Sequence, residues 1–254
     1  MTRGRTGSTA VMDSLNKTSS ITTAQELFIK HKANKKNSQL VNQSDRVILR
    51  YDPWREQNLG RLERVSDWLM RNGTSIVKYL DYVESTVSKT DAKAFGFKVI
   101  SHHLKQRPGL QNILINRGYA IIYLTRNITR QVISGMVAKK KGKYNAHENE
   151  NYKNNSTFTI DIDNYVSLVG KEKRAQQDEL ESLKLSGLDY TVITYDDFVS
   201  NRDQLFLDIV SFLKLEPETA PESSYMIMIE SLKDTIKNYD QVCDATKQLG
   251  MTLE

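Results

Sequence analysis

Four short runs of β-branched and aromatic residues, separated by stretches with helical spacing, constrain this chain more than any other feature. They are residues 47–51 (Val-Ile-Leu-Arg-Tyr), 95–100 (Phe-Gly-Phe-Lys-Val-Ile), 120–124 (Ala-Ile-Ile-Tyr-Leu) and 190–195 (Tyr-Thr-Val-Ile-Thr-Tyr). Between them, Leu62, Val65 and Leu69 fall on one helical stripe. Leu205, Ile209, Phe212 and Leu213 fall on another, opened by Ser200 or Asn201 as an N-cap. Short apolar runs suit strands buried on both faces. Their alternation with helices suits a parallel sheet flanked by helices, so the expected class is α/β, in one domain spanning residues 1–254. Residues 30–45 and 142–158 are polar and Asn-rich and are expected as surface loops. Residues 171–184 are highly charged, which predicts a solvated helix ending near Gly187.

Composition narrows the setting more than the chemistry. Apolar residues make up 39% of the chain, enough for a sizeable core, and no apolar run approaches the length of a membrane span. The basic, polar start lacks the apolar stretch of a secretory signal. Cys243 is the only cysteine, which excludes an intrachain disulfide or a Cys-rich metal site and fits a reducing, cytoplasmic setting. The net charge of +5 suits a small polyanionic ligand. The run Lys139-Lys140-Lys141-Gly142-Lys143 reads as a solvated helix end, so no nucleic-acid partner is expected. A homodimer is the default assembly.

Two segments point to an anion site. Arg5-Thr6-Gly7-Ser8-Thr9 precedes a stretch able to be helical. A Gly-containing turn entering a helix aims backbone N–H groups at one anion, hydroxyls add donors, and an Arg grips oxygens in a bidentate way. No Lys follows Gly7, so the pattern is not that of the nucleotide kinases, and alone it equally describes a polar chain end. The second segment is Arg126, at the carboxyl end of the run 120–124, with Ser134 eight residues later in the next helix. Ligands of parallel α/β sheets bind at the carboxyl ends of strands.

In these segments the chain resembles the PAPS-dependent sulfotransferases, and within them the bacterial trehalose-type branch. Arg5-Thr6-Gly7-Ser8-Thr9 resembles their 5′-phosphosulfate loop, Pro-Arg-Ser-Gly-Ser-Thr. The stretch from Ile122 to Arg126, with Ser134, resembles their 3′-phosphate element, and Arg130-Gln131-Val132-Ile133-Ser134 is close to the branch's Gln-Ala-Val-Ser. Phe95-Gly96-Phe97-Lys98 resembles a Phe-Gly-x-Lys strand. The stretch 192–198 (Val-Ile-Thr-Tyr-Asp-Asp-Phe) resembles a late strand with Tyr-Glu-Asp-Leu, and Phe212-Leu213-Lys214-Leu215 a closing Phe-Leu-Gly-Leu. The matches follow family order from residue 2 to about residue 215.

The resemblance implies a P-loop-like parallel sheet of sulfotransferase type and transfer of a sulfuryl group from PAPS to a hydroxyl of a sugar or glycolipid, with PAP as product. Arg5, Thr6, Gly7, Ser8 and Thr9 would hold the 5′-phosphosulfate, and Arg5 would also stabilise the leaving phosphate. Arg126 and Ser134 would hold the 3′-phosphate, and no metal is needed. The branch's general base is a Glu shortly after the first helix, which falls on Glu26. His103, then His102, are the competing bases just beyond the Phe-Gly-x-Lys strand. Lys98 either enters the site or emerges from the strand, and Tyr195 and Asp196 support the sheet end. Trp54 and Trp68 are aromatic candidates for adenine stacking, neither of them assigned. The family carries an apolar strand before the loop and a Pro where Gly4 stands. Here only four residues precede Arg5, so the expectation is a sheet lacking its first strand, a loop held on one side, and, as an alternative, an inactive PAP-binding relative of the same fold.

Overall fold

The computed structural model describes residues 1–30, 39–41, 47–70, 73–89, 91–107, 109–142, 157–225 and 231–253. In chain order the first elements are α1 (Ser8–Asn16), β1 (Ile21–Ala24), β2 (Gln39–Val41), β3 (Val47–Leu49), α2 (Tyr51–Asn58), α3 (Arg61–Met70) and α4 (Thr74–Val87). Then come β4 (Ala94–Phe97), α5 (Ser101–Gln106), α6 (Leu110–Asn116), β5 (Ile121–Thr125), α7 (Ile128–Lys141) and α8 (Ile162–Leu185). The chain closes with β6 (Tyr190–Thr194), α9 (Tyr195–Ser200), α10 (Arg202–Phe212), α11 (Leu232–Thr235) and α12 (Tyr239–Gln248).

The fold is mixed α/β, with short parallel strand pairs flanked by helices. β1 pairs with β4, and β5 with β6, both in parallel. Thr2 joins the pairs through parallel bridges to Ile100, just beyond β4, and to Leu124 in β5. Its N–H donates to Val99 O and its C=O accepts from Ser101 N, each at 3.0 Å, while Leu124 N donates to Met1 O at 3.0 Å. The segment before the loop is therefore held from both sides, not from one as expected.

Two further sequence expectations change. The run 47–51 does not join the parallel strands: β3 pairs antiparallel with β2, and Tyr51 opens α2. Residues 21–24, read as no strand at all, form β1 and are buried throughout. The helix expected at 171–184 is the end of a longer one, α8, which is capped by Asp161, whose side chain accepts from Asn164 N. Of the two expected loops, residues 31–38, 42–45 and 143–156 lie outside the described residues.

Helix ends follow local chemistry. Asn127 caps α7 by accepting from Thr129 N and Arg130 N, and Thr194 caps α9 by accepting from Asp197 N. Three apolar clusters hold the layers. Phe28, Tyr51, Trp54 and Tyr79 centre one; Phe206, Ile209 and Leu124 a second; Ile133, Tyr165 and Val242 the third. Each large side chain fully buried in them contributes about 1.5–3 kcal/mol relative to exposure. No helix among the described residues is long and apolar enough to cross a membrane.

Candidate functional site

Every parallel strand delivers a polar side chain to the same end of the structure. Glu26 follows β1, Lys98 follows β4, the loop 4–7 follows Thr2, Arg126 follows β5 and Tyr195 follows β6. This is the carboxyl edge at which parallel sheets bind ligands.

The loop enters α1 through Gly7, which has φ 83° and leaves its C=O to accept from Ala10 N at 3.0 Å. Only glycine serves here. A Cβ on Gly7 would stand 2.1 Å from the Tyr195 ring, and its φ lies in the left-handed region. Arg5 also has positive φ, 67°, a conformation that costs a non-glycine residue about 1–3 kcal/mol and is found at functional sites. Ser8 and Thr9 are the first two residues of α1, so their N–H groups have no acceptor within the helix and lie at its positive end. Thr6 behaves differently from its neighbours. Its hydroxyl is buried, pairs with the Thr2 hydroxyl and donates to Arg3 O at 3.2 Å, leaving only its backbone for a ligand.

Arg126 and Ser134 meet this loop, as their placement after one strand and within one helix requires. The Arg126 Nη1 donates to Arg5 O at 3.3 Å, and the Arg5 Nη2 donates to Ser134 Oγ at 3.2 Å. The Arg126 guanidinium lies over the Tyr195 ring, 4.8 Å from its centroid. Its Nε is buried with no hydrogen-bond partner among the described residues. Burial pulls the Arg126 guanidinium below its ordinary value, against the opposing fields of Tyr195 and Asp196. Water solvates this cation poorly, so an anion binding there meets little competition from it.

A second cluster borders Thr9. The Lys98 Nζ is 2.8 Å from Glu26 Oε1 and donates to Thr9 Oγ1 at 3.4 Å. Glu26 lies on the turn after β1, not on a helix, and its side chain is 17% exposed. His103 is fully buried, with Nε2 3.8 Å from Glu26 Oε2. Burial, followed by the field of His102, lowers its pKa to about 4; Glu26 raises it, while Arg107 and Lys98 lower it further. The imidazole is therefore neutral near pH 7. Because Nδ1 accepts from Ile100 N at 3.3 Å, the proton sits on Nε2, facing Glu26. A nitrogen that already carries its proton accepts no other, so His103 Nε2 is not a proton acceptor in this arrangement.

Arg107 and Arg50 were not anticipated from the sequence. Arg107 lies over the rings of Phe28 and Tyr51, and its Nη2 is 3.2 Å from Asp52 Oδ1. Arg50 feels the Glu26 charge. Trp54 is packed against Tyr79 and stacked on Tyr82 within the core. The Trp68 side chain lies outside the described residues. Gln131, next to Arg130 in α7, donates to Gly4 O at 2.8 Å and to Glu172 Oε1 at 2.7 Å. Arg3 bonds both Glu172 and Glu179, so α7 and α8 clamp the loop's first residues. Among the described residues no group of three or more His, Cys, Asp or Glu side chains is arranged to hold a metal ion.

Compared with known proteins, the chain matches no family model and no curated sequence.

Proposed function

We propose that this chain is a PAPS-dependent sulfotransferase with a P-loop-like fold of sulfotransferase type, moving a sulfuryl group from PAPS to a hydroxyl of a carbohydrate or glycolipid. The observation that carries the reading is the meeting of Arg5, Arg126 and Ser134, drawn from segments far apart in sequence. Two arginines and a serine hydroxyl brought to one half-buried loop make a donor set suited to a ligand with several negative charges. PAP and PAPS are such ligands. Arg126 and Ser134 would hold the 3′-phosphate, and Arg5 with the N–H groups of Gly7, Ser8 and Thr9 the 5′-phosphosulfate.

The Glu26–Lys98–Thr9 chain supports the catalytic half of the reading. Glu26 would take the acceptor's hydroxyl proton as the new O–S bond forms and the bond from sulfur to the 5′-phosphate oxygen breaks. The electron pair leaves on PAP, where Arg5 and the loop's N–H groups offset the added charge. Lys98, between Glu26 and Thr9, positions the base beside the loop.

Calorimetric titration with PAP tests this. The wild type binds; Arg126→Ala and Ser134→Ala each bind more weakly, the first by at least about tenfold, as loss of a charged hydrogen bond implies. No binding by the wild type, or an unchanged Arg126→Ala, sinks the assignment. Binding with no transfer of radiolabelled sulfate to a broad panel of sugar and glycolipid acceptors would instead identify an inactive PAP-binding relative.

A further inference from the structure

The chain turns a corner between α2 and α3, and two arginines stitch it. The Arg55 Nη2 donates to Arg64 O at 2.8 Å, and the Arg64 Nη1 lies 3.5 Å from the backbone O of Glu56. Their guanidinium groups are thereby held across the corner. Arg61, one turn before Arg64, joins them around a hollow of about 320 Å³ that Val65 completes. Among the described residues no carboxylate lines this hollow. Glu63 is turned to the other side of α3, where its carboxylate is 2.8 Å from Lys78 Nζ and accepts from Gly60 N at 3.2 Å. There a second hollow, of about 400 Å³, separates α3 from α4. α3 is thus a ridge between two hollows. Its crest carries Leu62, 86% exposed, and Val65, 48% exposed.

We infer that this corner is a membrane-docking surface: Arg55, Arg61 and Arg64 take the phosphate of an anionic phospholipid, and Leu62 and Val65 enter the apolar border beneath the headgroups. Charge complementarity names the anion. Three guanidinium groups around one hollow present forked donors to the several oxygens of a phosphate. The ridge names the lipid. A dissolved polyanion offers nothing to Leu62 and Val65, whereas a bilayer surface places phosphate and hydrocarbon within the roughly 5–10 Å that an interfacial helix reaches. Arginine stems cover apolar surface while their heads stay at the level of the phosphates. The helix lies on the bilayer and does not cross it. Since α2 and α3 alone form this surface, it is independent of what the Arg5 loop binds.

The test is co-sedimentation of the full chain with vesicles of phosphatidylcholine, alone or with about one-third phosphatidylglycerol. The wild type is expected to bind the anionic vesicles at least about tenfold more tightly than the neutral ones. Arg61→Gln and Leu62→Ser should each weaken that binding by about threefold or more. Both side chains are exposed, so neither substitution removes core packing. Arg126→Ala, at the other anion site, should change vesicle binding by less than about twofold. Equal binding to the two kinds of vesicle, an unchanged Leu62→Ser, or a loss in Arg126→Ala alone overturns the inference. Two other results overturn it by naming another occupant. Heparin binding that Arg61→Gln removes and Leu62→Ser spares would assign the corner to a soluble polyanion. A dimer in solution that Leu62→Ser dissociates, with no vesicle binding, would assign it to a second copy of the chain.

Discussion

The Lys98 ammonium stands 2.8 Å from Glu26 and also reaches the Thr9 hydroxyl, so one cation links the turn after β1 to the first turn of α1. Lys98 is 8% exposed, and a charge so enclosed depends on its partner. Removing either member leaves the other without compensation.

From this pair comes the first prediction. If Glu26 is the base as proposed, Glu26→Gln should abolish sulfate transfer while leaving PAP affinity within about twofold of wild type, because the amide keeps the shape and its oxygen still accepts from Lys98 but takes up no proton. Lys98→Met should reduce kcat by roughly ten- to a hundredfold, and Lys98→Arg should recover part of that loss. Transfer assays beside PAP titrations check it; equal losses of binding and of turnover would show that Glu26 merely supports the loop.

The Gly7–Tyr195 contact gives the second. Gly7→Ala should destabilise the protein by roughly 2–3 kcal/mol, since both the clash with the ring and the positive φ act against it. Adding Tyr195→Ala removes the clash but not the backbone strain, so the double variant should recover part of the stability beyond what Tyr195→Ala costs alone. Urea denaturation of the cycle measures that coupling.

Stacking of Arg126 on Tyr195 gives the third. Tyr195→Phe keeps the ring and should leave PAP affinity within about twofold, whereas Tyr195→Leu should weaken it by about three- to fivefold, the size of a modest cation–π contribution. Equal effects of the two substitutions would remove the ring from the site's energetics.

A fourth concerns acid. His103 is neutral in the folded protein down to about pH 4, whereas an unfolded histidine takes up its proton near pH 6.5. Between those values the unfolded chain binds more protons, so stability should fall as pH drops from 6.5 toward 4, by an amount on the order of 3 kcal/mol. His103→Gln should flatten that slope, and urea midpoints across the range test it. An unchanged slope would place the titration elsewhere.

Much of the framework was legible because it rests on local pattern. β4, β5 and β6 announced themselves as β-branched and aromatic runs and α10 as an apolar stripe with a capped start, while α1 and α7 were expected after the Gly-containing turn and after the run 120–124. The meeting of Arg126 and Ser134 with the loop followed from their places after a strand and within a helix. What escaped was decided by partners distant in sequence. Ile21-Thr22-Thr23-Ala24 looks too polar for a buried strand, yet Thr23 is served by Asn16 Oδ1 and Met12 O within α1. The run at 47–51 was a sound strand with the wrong neighbour, since periodicity carries no information about pairing. Lys98 lay beyond the reach of strand alternation: β4 ends at Phe97, and Lys98 N already turns toward both Ala24 O and Gln25 O. On α3 the apolar stripe misleads in the other direction, for Leu62 is 86% exposed.

The ring of Tyr195 fills the space beside Gly7 and lies beneath the Arg126 guanidinium, so one side chain braces the loop and the residue after β5 together. It is 8% exposed and packed against Phe198, so a displacement of either the loop or Arg126 would be passed to the other through this ring.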